Sequence, residues 1–109
     1  MAFSQELCLR VRAVLGDVDG LKEKLMFGGV GWLVRGNMAC GIMKDDLIVR
    51  VGTEKYQEPL SRPHVKMFNM TGRPMSGWVM VEPPGFASQA DLDRWVQMGL
   101  AVALALPPK

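Results

Sequence analysis

The feature that most constrains the fold is a series of short, largely apolar segments in the first half of the chain. We predict strands at Leu21–Met26, Val30–Arg35, Met38–Met43 and Leu47–Val51. Gly36-Asn37, a dipeptide of the kind frequent in tight hairpins, separates the second segment from the third. Consecutive strands with such short connections pair antiparallel, so we predict a meander of three or four strands.

The third of these segments has two unequal faces. Small residues alternate with bulky ones, in the order Met38, Ala39, Cys40, Gly41, Ile42. Because successive residues of a strand point to opposite faces, we expect a helix to pack closely against the small side chains. The next turn is predicted at Asp45-Asp46, where neighbouring carboxylates usually serve the turn itself rather than acid–base chemistry.

Helices are predicted at both ends of the chain. The first begins after the cap residue Ser4 and stops at Gly16. The last begins after Ser88, which is followed three residues later by Asp91, and continues to Leu106. These end signals place one helix before the strands and one after them.

The second half of the chain adds shorter elements. Thr53 can cap a helix over Glu54–Leu60, and further strands are predicted at Val65–Met70 and Gly77–Val81, joined by a loop over Thr71–Ser76. The resulting order lacks a regular strand–helix–strand alternation. We therefore predict one domain over residues 1–109, of the α+β class, with a mostly antiparallel sheet of five or six strands and flanking terminal helices.

Charge and hydropathy narrow the functional classes. The net charge is +2 and the basic residues are dispersed, which argues against direct nucleic-acid binding by this domain. No signal-peptide pattern opens the chain, and its longest apolar stretch, Gly99–Leu106, is too short for a membrane span. We expect a cytoplasmic protein with no membrane segment.

Residues for catalysis or metal binding do not form a recognisable set. Cys8 and Cys40 are far apart and are expected to be buried free thiols, and His64 is the single histidine. The glycine-rich segment Gly28–Gly31 lacks the third glycine of a dinucleotide fingerprint and the lysine of a phosphate loop. We therefore predict no catalytic residue, no metal and no cofactor, and assign these glycines to a backbone bend.

Two arginines are candidates for recognition. Arg50 interrupts an apolar strand, and Arg73 lies in a Gly-Arg-Pro sequence. Either could bind an anion or a partner carboxylate, and the alternative is a surface ion pair with one of the dispersed acids.

The predicted strand Val65–Met70 is a second candidate. If it lies at an edge, its unpaired backbone groups could add a strand from another chain, whereas Lys22 and Lys24 would protect the first strand. Val65–Met75, with Trp78 nearby, is thus predicted to bind a protein partner or a second copy. The alternative is a monomer whose edge is covered by Pro83–Phe86.

Several motifs together are similar to a known family. They are Met26-Phe27-Gly28-Gly29-Val30-Gly31, Gly36-Asn37-Met38, Asp46–Gly52, Thr71–Met75, Gly77-Trp78-Val79 and Leu106–Lys109. They resemble the N-terminal domain of the TfoX/Sxy family. The resemblance implies an antiparallel sheet with flanking helices, similar to secretion chaperones, and a role like that of competence regulators acting with the cyclic-AMP receptor protein. The full regulators carry a second, C-terminal domain.

We accordingly expect a non-enzymatic protein-binding or regulatory module. The alternatives are a small-ligand or anion-binding domain that uses Arg50 and Arg73, and an enzyme fragment. The candidate binding residues are Phe27, Gly28, Gly29, Arg50, Met70, Arg73, Met75 and Trp78.

Overall fold

The structure is a computed structural model that describes residues 4–16, 18–26, 28–52, 57–69 and 74–107. Its strands are β1 (Leu21–Met26), β2 (Gly29–Val34), β3 (Asn37–Met43), β4 (Asp46–Arg50), β5 (Val65–Asn69) and β6 (Pro74–Val81). Its helices are α1 (Gln5–Leu15), α2 (Gln57–Leu60) and α3 (Gln89–Ala105), with a 3-10 turn at Pro83–Phe86. The strands form one six-stranded antiparallel sheet in the order β1-β2-β3-β4-β6-β5. The α+β class and the antiparallel sheet flanked by terminal helices are confirmed.

Local signals set the ends of the two long helices. The Ser4 hydroxyl oxygen accepts a hydrogen bond from the N–H of Leu7 at 3.2 Å, and that of Ser88 accepts one from Asp91 at 3.1 Å. Each bond satisfies an N–H that has no partner within its own helix. Gly16, with φ of +55°, ends α1. Both predicted caps are confirmed.

The hairpin between β2 and β3 turns one residue earlier than predicted. Asn37 already belongs to β3 and pairs with Val34, so the turn residues are Arg35 and Gly36, both with positive φ. The predicted turn at Gly36-Asn37 is therefore wrong. The reason is that Asn37 is buried, and its side-chain amide donates a hydrogen bond to the Pro107 carbonyl at 2.9 Å.

Two further boundaries also differ from the predictions. Asp46 pairs with Met43, so the turn lies at Lys44 and Asp45 rather than at Asp45-Asp46. Residues 74–76 belong to β6 rather than to a loop, since Pro74 pairs with Asn69 of β5, and Gly77 takes a φ of +85° within the strand. Helix α2 is described from Gln57 onward, and the predicted cap Thr53 lies outside the described residues.

One face of the sheet, here called the helix face, carries the main core. Its side chains are almost completely buried, and they belong to Val30, Trp32, Val34, Cys40, Ile42, Leu47, Val49, Val79 and Val81. The buried sides of α1 and α3 join the same cluster, as does Phe86 from the 3-10 turn. The helices therefore form a second layer over this face.

Helix α3 approaches the sheet most closely at β3. A Cβ atom on Gly99 would collide with the Ala39 carbonyl oxygen and would lie 3.1 Å from the Ala39 carbonyl carbon. The pairing of β2 with β3 shifts between Trp32 and Leu33, which leaves Ala39 as an additional residue in β3. The predicted close helix packing is confirmed at Ala39. It is wrong for Gly41, which lies beneath the side chain of Met38 instead.

Within the described ranges, no helix is long and apolar enough to cross a membrane.

Candidate functional site

The second face of the sheet, here called the outer face, points away from the main core. The strand register assigns to it, among others, Lys22, Lys24, Gly31, Leu33, Met38, Gly41, Met43, Asp46, Ile48, Arg50, Lys66, Phe68, Trp78 and Met80. Helix α3 contacts Val49, on the opposite side of the sheet. Among the described residues, no helix packs on the outer face.

The outer face is largely apolar in its middle strands. Ile48 and Phe68 are only 3% and 5% exposed, although neither belongs to the cluster on the helix face. Leu33, Met38 and Met80 are half-buried. Ile48 and Phe68 are thus covered, and the apolar surface of this face is provided by its half-buried aliphatic, aromatic and methionine side chains.

An arginine–tryptophan pair lies at one end of this face. Arg50 and Trp78 are direct cross-strand partners, and the guanidinium carbon lies 5.2 Å from the centre of the indole ring. Arg50 also donates a hydrogen bond to the Met38 carbonyl at 3.4 Å. The Phe68 ring lies 6.5 Å from Trp78 at an angle of 52°. The structure thus brings together two predicted site residues, Arg50 and Trp78, in a cation–π contact.

The predicted glycine pair lies elsewhere. Gly28 is in the turn between β1 and β2 with φ of +75°, and a Cβ atom on Gly29 would collide with the Ile42 carbonyl oxygen. Leu33 is in the same outer-face row as Arg50. Gly29 lies four positions before Leu33 in β2, about 13 Å away. The glycines therefore shape a turn and do not join Arg50 and Trp78. Phe27 lies outside the described residues.

The remaining candidates concern the end of the sheet formed by β5. Met75 is in β6, while Met70 and Arg73 lie outside the described residues. As predicted, β5 is an edge strand. The N–H of Glu82 donates to the His64 carbonyl, and the alternation of an antiparallel ladder then directs the backbone groups of Val65 and Met67 to the open edge.

The comparison with protein families agrees with the motifs in the sequence. The TfoX N-terminal domain profile matches residues 13–103. The chain belongs to the TfoX N-terminal domain family. No curated protein and no solved structure matches the sequence.

One polar cluster in this TfoX N-terminal domain was missed by the sequence reasoning. Arg12 of α1 donates two hydrogen bonds to the Glu23 carboxylate, at 2.7 and 2.6 Å, and the Trp32 indole N–H donates a third at 2.9 Å. The bonds from Arg12, helped by that from Trp32 and opposed by partial burial, lower the pKa of Glu23. The cluster fastens α1 to the first two strands, so its role is structural.

The histidine is in a shallow cleft on the helix side. The cleft has a volume of about 380 Å³ and is lined by Arg62, Pro63, His64, Pro84, Gly85, Asp91 and Trp95. The Arg62 guanidinium lies over the Trp95 ring at 5.2 Å and donates to Glu58 at 2.8 Å. His64 is exposed, and its φ of +64° is unusual for a residue with a side chain. Arg62 is thus already neutralised within this cleft.

A second cleft of about 320 Å³ lies between α1 and the 3-10 turn. Arg10 lines it and donates a hydrogen bond to the Phe86 carbonyl at 3.0 Å, with its guanidinium 5.9 Å from the Phe86 ring. This arginine therefore holds the 3-10 turn against α1.

The cysteines are buried free thiols, as predicted. Burial raises the pKa of Cys40 to about 12, and it also raises that of Cys8. Both sulfurs therefore stay protonated near neutral pH and are weak nucleophiles. In the described part of the chain, no three His, Cys, Asp or Glu residues are grouped to hold a metal ion.

Proposed function

We propose that this TfoX N-terminal domain is a non-enzymatic protein-binding module with a regulatory role. The observation that carries the proposal is the outer face, where half-buried apolar side chains are bordered by charged residues. Contiguous apolar surface with a polar border is typical of protein interaction sites. The regulatory part of the proposal rests on family membership alone.

The composition of this face suits contact with a protein surface. Met38 and Met80 have flexible, polarisable side chains that adapt to different partners. Trp78 and Arg50 are residue types enriched among the strongest contributors to protein interfaces. They are already paired with each other, so a partner would meet a preformed surface.

The free edge of β5 provides a second mode of contact. Val65 and Met67 have outward backbone groups that could add a strand from a partner or from a second copy. The 3-10 turn Pro83–Phe86, which we considered as a cover for this edge, packs against α3 instead, with Phe86 in the main core.

The chemistry of the described side chains supports a role other than catalysis. The single histidine is exposed, and both thiols are buried and protonated. The alternative of anion binding through Arg50 and Arg73 receives less support. Arg50 is engaged with Trp78 and the Met38 carbonyl, so binding an anion there would disrupt contacts already made.

The proposal is tested by capturing binding partners from native lysate with three forms of the chain. Met80→Glu places a charge in the middle of the outer face, whereas Leu104→Glu does so on α3, where Leu104 is 43% exposed. We expect partners of the wild type to be retained by Leu104→Glu and lost by Met80→Glu. Circular dichroism and thermal melting first establish that both variants fold. Identical partner sets for all three forms would show that the outer face is not the docking surface.

A further inference from the structure

We propose that the open edge of β1 receives an extended segment of a partner protein in which acidic and apolar residues alternate. The segment would add a seventh strand to the sheet, antiparallel to β1. This inference goes beyond the outer face, because it concerns a strand edge. It rests on the proposed function only in treating the domain as a protein-binding module.

The backbone of β1 is regular and has one unpaired side. Among the described strands β1 is the last in the sheet order, and its six residues pair with β2 without a register shift. The N–H of Arg35 donates a hydrogen bond to the Gly20 carbonyl at 3.1 Å, next to the first pair of the ladder. The alternation of the ladder then directs the backbone groups of Leu21, Glu23 and Leu25 to the open edge. The pairing of β5 with β6, in contrast, contains a register shift.

Exposed apolar side chains lie on the helix side of this edge. Leu25, which pairs with the core residue Val30, is 72% exposed, and Leu9 of α1 is 64% exposed. The start of α1 is bonded to the turn between β3 and β4, at the end of the sheet where β1 finishes. Leu9 and Leu25 therefore lie on the same side of the ion pair between Arg12 and Glu23. An added strand would place an apolar side chain against Leu25 and beside α1.

Two lysines lie on the outer-face side of the same edge. Lys22 and Lys24 are exposed, and neither forms an ion pair with a described residue. Asp46, an acid of the outer face, is three strands or about 14 Å from β1. Lys66, on the opposite edge strand, differs because the Glu82 carboxylate lies 4.0 Å from its ammonium. The positive charge of β1 is thus available to acids of an added strand.

The two sides of the edge define the alternation of the partner. Residues opposite the two leucines are apolar, and residues opposite the two lysines are acidic, because opposite charges across neighbouring strands attract. The residue opposite Glu23 is small and uncharged, since that carboxylate already accepts hydrogen bonds from Arg12 and Trp32. The resulting pattern is apolar, acidic, small, acidic, apolar, as in Val-Glu-Thr-Glu-Val.

The lysines also argue against a second copy as the occupant. If two β1 strands paired antiparallel over their full length, Lys22 of one copy would lie opposite Lys24 of the other. A shift by two residues would place a lysine opposite itself, and like charges directly opposite are destabilising. No described strand has two acids at alternate positions, so a second copy offers no strand with the required pattern.

Four capped peptides test the inference. The first is Thr-Val-Glu-Thr-Glu-Val-Thr, and the second has lysines in place of both glutamates. The third is the first peptide N-methylated at the two valines and the central threonine, whose N–H groups would face β1. The fourth is N-methylated at the two glutamates, whose N–H groups would face away. Each is titrated into the ¹⁵N-labelled chain by NMR.

The first and fourth peptides should bind, with chemical shift changes in β1. Exchange with solvent should slow at the amides of Leu21, Glu23 and Leu25, which gain hydrogen bonds. The second peptide should bind at least about tenfold more weakly because its charges repel the lysines, and the third because it lacks the ladder bonds.

Variants of the chain identify the contacts. Lys24→Glu should weaken binding of the first peptide about tenfold and strengthen binding of the second. Arg94→Glu, at an exposed position of α3, makes the same change in net charge and should alter neither affinity. Leu25→Ser should weaken the first peptide about fivefold, because an apolar contact is lost. Met80→Glu, four strands away from β1, should leave every affinity unchanged.

Several results would overturn the inference. They are no binding of the first peptide, equal binding of the first two peptides, equal binding of the two methylated peptides, and shifts confined to other strands. A wild-type dimer that the first peptide dissociates would make a second copy the occupant. If the first peptide binds as expected but Met80→Glu leaves partner capture unchanged, the β1 edge is a docking site and the outer face is not.

Discussion

Replacing Gly99 by alanine tests the closest contact between the sheet and its helix layer. In a solvent-exposed helix the change would stabilise the protein by about 1 kcal/mol, because alanine is the better helix former. Here the new methyl group would collide with the Ala39 carbonyl oxygen and lie 3.4 Å from a methyl carbon of Val49. The neighbour in the collision is backbone of a central strand, so relief requires α3 to move away from the sheet.

The expected change in the free energy of unfolding follows from these opposing effects. Overpacking a close contact costs about 1–3 kcal/mol, and a backbone collision belongs at the upper end of that range. After the gain in helix propensity, we expect a net loss of about 2 kcal/mol in the free energy of unfolding. For a domain of 109 residues the unfolding entropy is about 0.23 kcal/mol per kelvin, so the midpoint should fall by roughly 9 °C.

The assay is thermal and urea unfolding of Gly99→Ala, followed by circular dichroism, beside the control Ala101→Gly. Ala101 is an exposed position of the same helix, so its replacement reports helix propensity alone and should cost about 1 kcal/mol. If Gly99→Ala is more stable than the wild type, the close approach of α3 to Ala39 is wrong and the glycine is not needed for packing.

Two further predictions concern polar contacts. Glu23→Gln should cost about 1 kcal/mol at pH 7, because it weakens the bonds from Arg12 and Trp32 to a carboxylate. Because folding lowers the pKa of Glu23, this stabilisation is present above the unfolded value of about 4.3 and is lost as pH falls through the folded value. Urea titrations of both forms at pH 7 and pH 3 should therefore show the difference shrinking in acid, and an unchanged difference would contradict the assignment. Asn37→Ala should lower the free energy of unfolding by about 1–2 kcal/mol, because it removes the bond to the Pro107 carbonyl. Asn37→Asp should lower it more, since it directs a buried carboxylate at that carbonyl. Equal stability of Asn37→Asp and wild type in the same titration would refute this.

Features that depend on neighbouring residues were predictable from the sequence. The caps Ser4 and Ser88 bond to residues three positions ahead, so sequence spacing alone indicates them. The alternation of apolar residues predicted the strands, and the absence of regular strand–helix alternation predicted the antiparallel sheet. The order β4-β6-β5 was not predicted, because it depends on long-range pairing.

Features that depend on distant residues were missed. The local sequence at Asn37 favours a turn, whereas the hydrogen-bond partner that draws it into β3, Pro107, lies seventy positions away. The cluster of Glu23 with Arg12 and Trp32 joins a helix and two strands, and no local sequence pattern indicates it. For the candidate site, Arg50 and Trp78 were identified separately, but only the register of β4 with β6 shows that they are partners.

The central strand β4 gives the strongest structural reason to expect a partner on the outer face. Leu47 and Val49 enter the main core, while Ile48, between them, is 3% exposed on the opposite side. Strands with apolar side chains on both faces are typical of sheets that are covered on both faces, whereas a sheet with one solvated face usually alternates apolar and polar residues. The described helices cover only one face of this sheet. Ile48 is therefore already buried on the outer face, and the half-buried side chains of Leu33, Met38 and Met80 are the ones that a partner on this face would cover.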